Sequence, residues 1–257
     1  MAYDGAAFSG WARQPSARTV QGELERAIAA MHGSVALTRG ASRTDAGVHA
    51  LGQVAAFDTA RSIPREGWIK GLNRLLPEDL AVRDAAPCAA GYNPRFDTVD
   101  KTYRYLLLVD EERDPLWRGR AWHLGPSRWM RGAHGLDLDA MRAAAAAWVG
   151  THDFRAMRAA DDDRESGTRT MHAIEVRPGW GEDPRAIAIS VTGTAFMKNM
   201  VRIMVGTLVD VGRGRFSADH AASLVREGAR REDAGPTAPA HGLTLVEVRL
   251  GRSTAAP

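Results

Sequence analysis

Residues 42–49 of this 257-residue chain read Ser-Arg-Thr-Asp-Ala-Gly-Val-His. The segment has no helical hydrophobic period, and its polar residues together with a glycine predict a tight loop. Gly47 permits a positive φ or a close backbone approach, while Arg43 supplies five donors and a charge that favours an ionised carboxylate nearby. An ionised Asp45 on a sharp loop suits nucleophilic attack or proton abstraction. In an isolated Arg-x-Asp, by contrast, the aspartate usually caps a turn and the arginine is solvated.

The elements predicted around this loop form a β-α-β-β-α-β order. A helix begins after Thr19, a plausible N-cap, carries Leu24, Ile28 and Met31 on one face and stops at Gly33. Strands are predicted over residues 35–37, 53–57 and 80–84, and a second helix over residues 66–75. A short strand end at Tyr3 opens the series.

The second half of the chain predicts the same order again. Strands are expected over residues 101–109, 171–177, 185–193 and 243–250, and helices over residues 137–150 and 197–211. A long insertion, residues 110–136, interrupts the series and has no assigned role. The fold class is therefore predicted as α+β, with two ferredoxin-like sandwiches whose antiparallel sheets face one cleft. The predicted domains are residues 1–95 and 96–251, followed by a tail, 252–257.

Composition and charge narrow the function classes. Hydrophobic residues make up 44% of the chain and charged residues 25%, which is typical of a globular protein. Cys88 is the single cysteine, and no Cys/His cluster has metal-ligand spacing, so neither an internal disulfide nor a metal is expected. With no signal-like or membrane-spanning stretch, the expected location is the cytoplasm. The sequence contains no Walker loop and no G-x-G-x-x-G motif, so a nucleotide cofactor is not expected.

The positive charge is carried almost entirely by arginine. Of the 34 basic side chains, only Lys70, Lys101 and Lys198 are lysines. Arginine binds phosphate bidentately and stacks on bases, which favours a nucleic-acid partner. A GC-rich coding genome would produce the same excess of arginine.

Five segments together resemble one family. The octapeptide at 42–49 is similar to the catalytic signature of the tRNA pseudouridine synthase A family. Residues 3–14, Tyr-Asp-Gly-x-x-Phe-x-Gly-Trp-x-x-Gln, resemble its opening motif, although the family begins with several more strand residues. Lys-Thr-Tyr-Arg-Tyr at 101–105 and the segments 193–206 and 235–243 resemble its later motifs.

The resemblance implies an isomerase that converts uridine to pseudouridine in the anticodon stem-loop of tRNAs, at positions 38, 39 and 40. It implies that Asp45 performs the chemistry, that Tyr103 contacts the target nucleoside and that Arg202 pairs with Asp45. Arg43 is expected to help displace the target base, which must leave its stack. The implied enzyme is a homodimer without a cofactor. Whether Asp45 attacks the sugar or abstracts a proton is left open by the sequence.

Other readings compete with this one. A non-catalytic RNA-binding protein also fits ferredoxin-like sheets with exposed aromatics, but gains nothing from a carboxylate that faces phosphate. An Asp-dependent glycoside hydrolase would normally need a second catalytic carboxylate, which none of the motifs supplies. Tyr103 could simply be core, and Arg202, beside an apolar helix stripe, could extend to solvent. The acidic run 161–163 is typical of a solvated loop.

Overall fold

The computed structural model describes residues 1–34, 36–125, 135–162 and 164–251. The predicted tail 252–257, part of the insertion 110–136, Val35 and Asp163 lie outside the described residues. The strands are β1 Ala2–Tyr3, β2 Arg39–Gly40, β3 His49–Ala50, β4 Ala55–Ala56, β5 Leu80–Ala81, β6 Thr98–Val109, β7 Trp122–Leu124, β8 Gly150–Asp153, β9 Thr168–Pro178, β10 Ala186–Gly193 and β11 Leu243–Leu250. The helices are α1 Val20–His32, α2 Arg65–Leu75, α3 Pro94–Asp97, α4 Leu138–Ala146, α5 Met200–Gly212 and α6 Ala218–Ser223.

The chain forms two compact units, residues 1–101 with 244–251, and residues 102–243. Both combine helices with strands that pair mostly antiparallel, which is a mixed α/β arrangement of the predicted α+β class. Residues 244–251 group with the N-terminal unit, whereas the sequence had assigned them to the second half. The division at residues 95 and 96 stays a prediction.

In the first unit, short strands support long loops. β1 pairs antiparallel with β3 and β5, β11 pairs parallel with β3, and β2 and β4 form a separate two-stranded sheet. Helix α1 begins where predicted, because the Thr19 side chain accepts a hydrogen bond from the Gly22 backbone, and it ends at Gly33, whose φ is 81°. The buried face of this helix includes Leu24 and Ile28.

In the second unit, the sheet order is β6-β10-β9-β8, with β7 parallel to β6. One sheet face is largely apolar and buried: Tyr105 and Leu107 of β6 and Ile187 and Ile189 of β10 have no exposed surface. Helix α5 carries the predicted buried stripe, which comprises Met197 just before its first turn and Val201, Met204, Leu208 and Val211.

Several predicted boundaries were wrong. The described part of the predicted strand 35–37 is loop, and the strand pairing begins at Arg39 instead. The predicted strand 53–57 is confined to Ala55–Ala56, since the Gln53 side chain bonds loop atoms. The helix predicted over residues 137–150 ends at Ala146. The residues after it include strand β8, which the sequence did not predict and which pairs with β9.

Candidate active site

The Asp45 loop is a four-residue turn. The Val48 backbone N–H donates to the Asp45 carbonyl at 3.2 Å, and Gly47 has a φ of 79° at the third position of the turn. A positive φ there is typical of a type II turn, which glycine adopts without the strain that a side chain brings. Asp45 itself is half-buried, at the point where the extended backbone enters the turn.

The loop at residues 8–11 fixes this turn from both sides. The Trp11 N–H donates to the Thr44 carbonyl at 3.0 Å, and the Gly47 N–H donates to the Phe8 carbonyl at 3.3 Å. Gly10, with a φ of 95°, passes so close that an added Cβ would lie 2.8 Å from the Thr44 oxygen. The opening motif therefore braces the backbone immediately before and after Asp45.

Helix α1 holds that bracing loop in turn. Its first two N–H groups, those of Val20 and Gln21, donate to the carbonyls of Gly10 and Trp11 at 3.2 and 3.0 Å. These groups have no partner within a helix and need acceptors elsewhere. Phe8 and Trp11 are both buried, so their aromatic rings anchor the loop in the core as well.

A buried polar network lies beneath residues 42–44. The Tyr3 hydroxyl and the Thr44 Oγ1 are 2.8 Å apart, and the Gln53 Nε2 donates to the Ser42 carbonyl at 2.9 Å and to the Tyr3 oxygen at 3.3 Å. Burial raises the pKa of Tyr3 to about 12, so the hydroxyl stays protonated. All four residues are buried.

His49 follows the turn and ties it to the start of the chain. Its Nδ1 accepts a hydrogen bond from the Gly5 backbone N–H at 3.0 Å and lies 3.1 Å from the Asp4 carboxylate. An added Cβ at Gly5 would lie 2.1 Å from the Val48 oxygen, so only glycine fits there.

Arg43 differs from its neighbours. Its side chain is exposed, and within the described residues its guanidinium forms no hydrogen bond or ion pair. The loop therefore presents a cation two residues from Asp45.

In the second unit, Tyr103 lies on the apolar face of β6 and is 6% exposed. Its ring meets Phe196 edge to face, with centroids 5.1 Å apart and an interplanar angle of 82°. Edge-to-face contact is a favoured arrangement of aromatic pairs. Arg104, next to it on the strand, instead stacks on Trp180 at 4.3 Å, and burial lowers its pKa.

Arg202 is half-buried on the first turn of α5. Its Nε donates to the Ala238 carbonyl at 2.7 Å, and its Nη1 donates to the Asn199 Oδ1 at 2.8 Å. Asn199 has a φ of 59°, in the left-handed region that asparagine tolerates better than most residues. These bonds fix the direction of the guanidinium.

The C-terminal loop packs directly on α5. An added Cβ at Gly206 would lie 1.8 Å from the Pro236 oxygen, and the Thr207 Oγ1 accepts from the Gly235 N–H at 3.0 Å. The Ala238 N–H also donates to the Arg202 carbonyl. The Tyr105 hydroxyl donates to the Pro239 carbonyl at 2.7 Å, which joins the same loop to β6.

The acidic run 161–163 is not simply a solvated loop. Asp161 is exposed and pairs with the Lys198 Nζ at 2.6 Å, as the solvated interpretation expects. Asp162, however, is 8% exposed and accepts hydrogen bonds from the backbone of Lys198 and Arg164, so that interpretation was wrong for this residue.

Comparison with known proteins matches these motifs to one family. A family model described as tRNA pseudouridine synthase matches residues 1–97 and 144–250, which cover parts of both units. The chain belongs to the tRNA pseudouridine synthase family. Members of this family are isomerases that act on tRNA, so the predicted enzyme class is confirmed at the level of the family.

Individual members of the tRNA pseudouridine synthase family are similar over nearly the whole chain. The tRNA pseudouridine synthase A of Geobacter sp. strain M21 is 43% identical over 246 residues, which cover 96% of this chain and 95% of that protein. Those of Geobacter sulfurreducens and Bacillus subtilis are 44% and 42% identical, each over 96% of both chains.

Two further features of the described residues bear on other function classes. No group of three or more His, Cys, Asp or Glu side chains there could hold a metal ion. Within the same ranges no helix has the length and apolarity needed to cross a bilayer.

Sequence reasoning missed several side chains that shape the site. Gln53 and Tyr3 support the Asp45 loop, while Phe196 and Asn199 support Tyr103 and Arg202. Gln53 carried a usable signal, because a glutamine inside an apolar strand pattern needs buried partners. Asn199 carried one too, since asparagine just before a helix commonly has a specialised backbone or capping role.

Proposed function

We propose that this member of the tRNA pseudouridine synthase family isomerises uridine to pseudouridine in the anticodon stem-loop of tRNAs, at positions 38, 39 and 40. The observation that carries the proposal is the braced Asp45 turn, where two backbone hydrogen bonds from the opening motif fix the residues on either side of one half-buried carboxylate. Such preorganisation is what a reacting carboxylate needs.

Asp45 is proposed as the reacting group. The reaction breaks the C–N glycosidic bond, turns the detached uracil and rejoins it through carbon. An ionised carboxylate can serve either by attacking C1′ or by accepting a proton from the sugar. No redox change or external energy source is required, because substrate and product are isomers.

Three further residues are proposed to act with Asp45. Tyr103 contacts the target nucleoside, and its ring is already held in one orientation by Phe196. Arg43, exposed on the same turn as Asp45, contacts the RNA and fills the space that the extruded base leaves. Arg202 pairs with Asp45 through the guanidinium edge that Asn199 and Ala238 orient.

The finer architecture is part of the same proposal. The order β6, α4, β9, β10 and α5 supports a ferredoxin-like second half, to which the chain order adds β11, a strand that groups with the first unit. The elements β1, α1, β3, α2 and β5 support a related first half. We propose that the two sheets line one RNA-binding cleft. The resemblance further supports a homodimer that works in the cytoplasm.

The test is incubation with unmodified tRNA transcripts. Pseudouridine is mapped by primer-extension stops after carbodiimide treatment. The wild-type protein should produce stops for positions 38–40. Asp45→Asn should retain the fold and the affinity for tRNA but form no pseudouridine, because an amide can neither attack nor accept the proton.

A matched control is Asp84→Asn. It removes an exposed carboxylate of the same unit, one that pairs with Arg65. It should react at the wild-type rate. Conversion by pure Asp45→Asn near the wild-type rate contradicts the mechanism. A wild-type protein that binds tRNA and forms no pseudouridine would favour the non-catalytic RNA-binding alternative.

A further inference from the structure

Asp162 lies outside all the motifs above, yet its carboxylate is buried against one of them. Its Oδ2 accepts from the Lys198 backbone N–H at 3.0 Å, and its Oδ1 accepts from the Arg164 N–H at 3.2 Å. The Arg164 guanidinium lies 3.6 Å away. Both carboxylate oxygens are therefore used by backbone donors, an arrangement that a buried charge requires.

Two more hydrogen bonds join the same two stretches of chain. The Ala159 N–H donates to the Lys198 carbonyl at 3.0 Å, and the Arg164 Nη1 donates to the Phe196 carbonyl at 3.2 Å. Ala159, Asp162 and Arg164 thus hold the main chain of segment 196–198 at both ends of that segment.

That segment carries the supports of two proposed site residues. Phe196 packs edge to face on Tyr103, and Asn199, directly after Lys198, accepts from the Arg202 guanidinium at 2.8 Å. A shift of segment 196–199 would move both supports together. Burial alone would raise the pKa of Asp162, but the N–H groups of Lys198 and Arg164 hold it below its ordinary value, so the carboxylate is ionised and keeps both bonds.

We propose that Asp162 is a positioning residue of the isomerase reaction, which orients Tyr103 and Arg202 by fixing segment 196–199. The inference rests on the proposed roles of those two residues. Asp162 itself touches no substrate. Its two carboxylate oxygens bind the backbone N–H groups of Arg164 and Lys198. The main chain held in this way carries Phe196, the aromatic partner of Tyr103, and Asn199, the amide acceptor for Arg202. Small displacements of such groups reduce the rate of a reaction more than they reduce binding.

The variant that tests this is Asp162→Asn. An amide offers one acceptor oxygen where the carboxylate offers two, and its NH2 group would face a backbone N–H. The matched control is Asp161→Asn, with the same loss of charge one residue away. Asp161 is 70% exposed and bonds only the flexible end of Lys198 among the described residues.

Two measurements separate positioning from a general loss of structure. In single-turnover assays with tRNA, Asp162→Asn should lose roughly tenfold or more in rate while the dissociation constant for tRNA changes less than about twofold. In hydrogen-exchange mass spectrometry, amides of residues 196–199 should exchange faster than in the wild type. Asp161→Asn should match the wild type in both.

If Asp162→Asn folds poorly, Arg164→Gln is a second variant that weakens the contacts to segment 196–199 to a smaller extent. It removes the bond to the Phe196 carbonyl and the ion pair with Asp162. It should cause a smaller change in the same direction. Equal single-turnover rates for Asp162→Asn and Asp161→Asn overturn the inference, and so does a slow Asp162→Asn enzyme with unchanged exchange at 196–199. A wild-type protein without activity would instead contradict the proposed function, while the exchange comparison would still test the mechanical link.

Discussion

The hydroxyl of Tyr3 lies 2.8 Å from the Oγ1 of Thr44, in a buried hydrogen bond between residues 41 positions apart in the sequence. Thr44 immediately precedes Asp45, so the first strand of the chain is hydrogen-bonded to the side chain of the residue just before the proposed reacting group. The bond links the stability of the fold to the position of one carboxylate.

Tyr3→Phe should therefore reduce both stability and turnover. Removing the hydroxyl leaves a buried threonine oxygen without this partner, which typically costs about 1–3 kcal/mol. The free energy of unfolding in urea should fall by that amount, and single-turnover rates should fall several-fold. Tyr92→Phe is the control, because its hydroxyl bonds Asp97 rather than the Asp45 loop. It should lose stability without losing rate.

The stability lost in Tyr3→Phe should also depend on pH. Burial raises the pKa of Tyr3 to about 12 from the ordinary tyrosine value of 10.0. Between these values the unfolded state loses the Tyr3 proton while the folded state keeps it, so alkaline pH favours unfolding. This contribution is fully present below about pH 10 and is lost as the pH approaches 12. The stability difference between the wild type and Tyr3→Phe, measured in urea at pH 9 and pH 11, should become smaller at the higher pH. An equal difference at both values would contradict the assignment.

Gly10→Ala should damage the bracing loop. Position 10 has a φ of 95°, and a Cβ would lie 2.8 Å from the Thr44 carbonyl oxygen. Gly91→Ala provides the matched control, since its φ is 71° but nothing lies within 4 Å of the added Cβ. Both variants should lose roughly 1–2 kcal/mol from backbone strain. Only Gly10→Ala should lose further stability, about 1–3 kcal/mol, from the steric clash. It should also turn over more slowly, and equal losses would argue against a bracing role.

Arg43→Ala should impair reaction with paired uridines most. If the guanidinium occupies the vacated stack, its loss matters more for a base that must leave a duplex than for one in an open loop. The measurement compares single-turnover rates on a stem substrate and a loop substrate. Arg26→Ala, which removes an exposed arginine that pairs with Glu23, is the control. Equal losses on the two substrates would mean that Arg43 acts by positioning Asp45.

Arg202→Lys should slow turnover and move the acid limb of the pH–rate profile to higher pH. The proposed pair with Asp45 keeps the carboxylate ionised, and lysine retains the charge without the bidentate fork. A weaker pair raises the pH at which Asp45 becomes protonated, so activity is lost sooner on acidification. Lysine also cannot reproduce both bonds, to Ala238 and to Asn199. An unchanged profile would contradict the pairing.

The long, periodic elements could be predicted from the sequence. The apolar spacing of α1 and α5 and the alternation along β6 gave the correct type and nearly the correct bounds. The short strands around the Asp45 loop could not be placed, because β2 to β5 have only two residues each and are fixed by loop hydrogen bonds instead of by hydrophobic pattern.

The candidate site, too, contains residues that could be predicted from the sequence and residues that could not. Asp45, Arg43, Tyr103 and Arg202 were predicted from motifs, and for Asp45 and Arg43 the motif is a specific signal because it matches over eight consecutive residues. Asp162 was misjudged because its run of three aspartates looks solvated, whereas one of its two backbone donors, the Lys198 N–H, lies 36 residues further along the chain. Contacts of that range leave no trace in local pattern.

The beginning of α5 shows where stability and catalysis have different requirements. Asn199 stands at the N-cap, a position where its side chain would ordinarily accept a helix N–H and contribute about 1 kcal/mol. Here the side chain makes no capping bond, its backbone is left-handed, and its oxygen is given to Arg202. A glycine would relieve the backbone and suit the helix better, yet it would release the arginine. At this position a left-handed backbone thus coexists with a fixed guanidinium, and Asn199→Gly would relax the first while it frees the second.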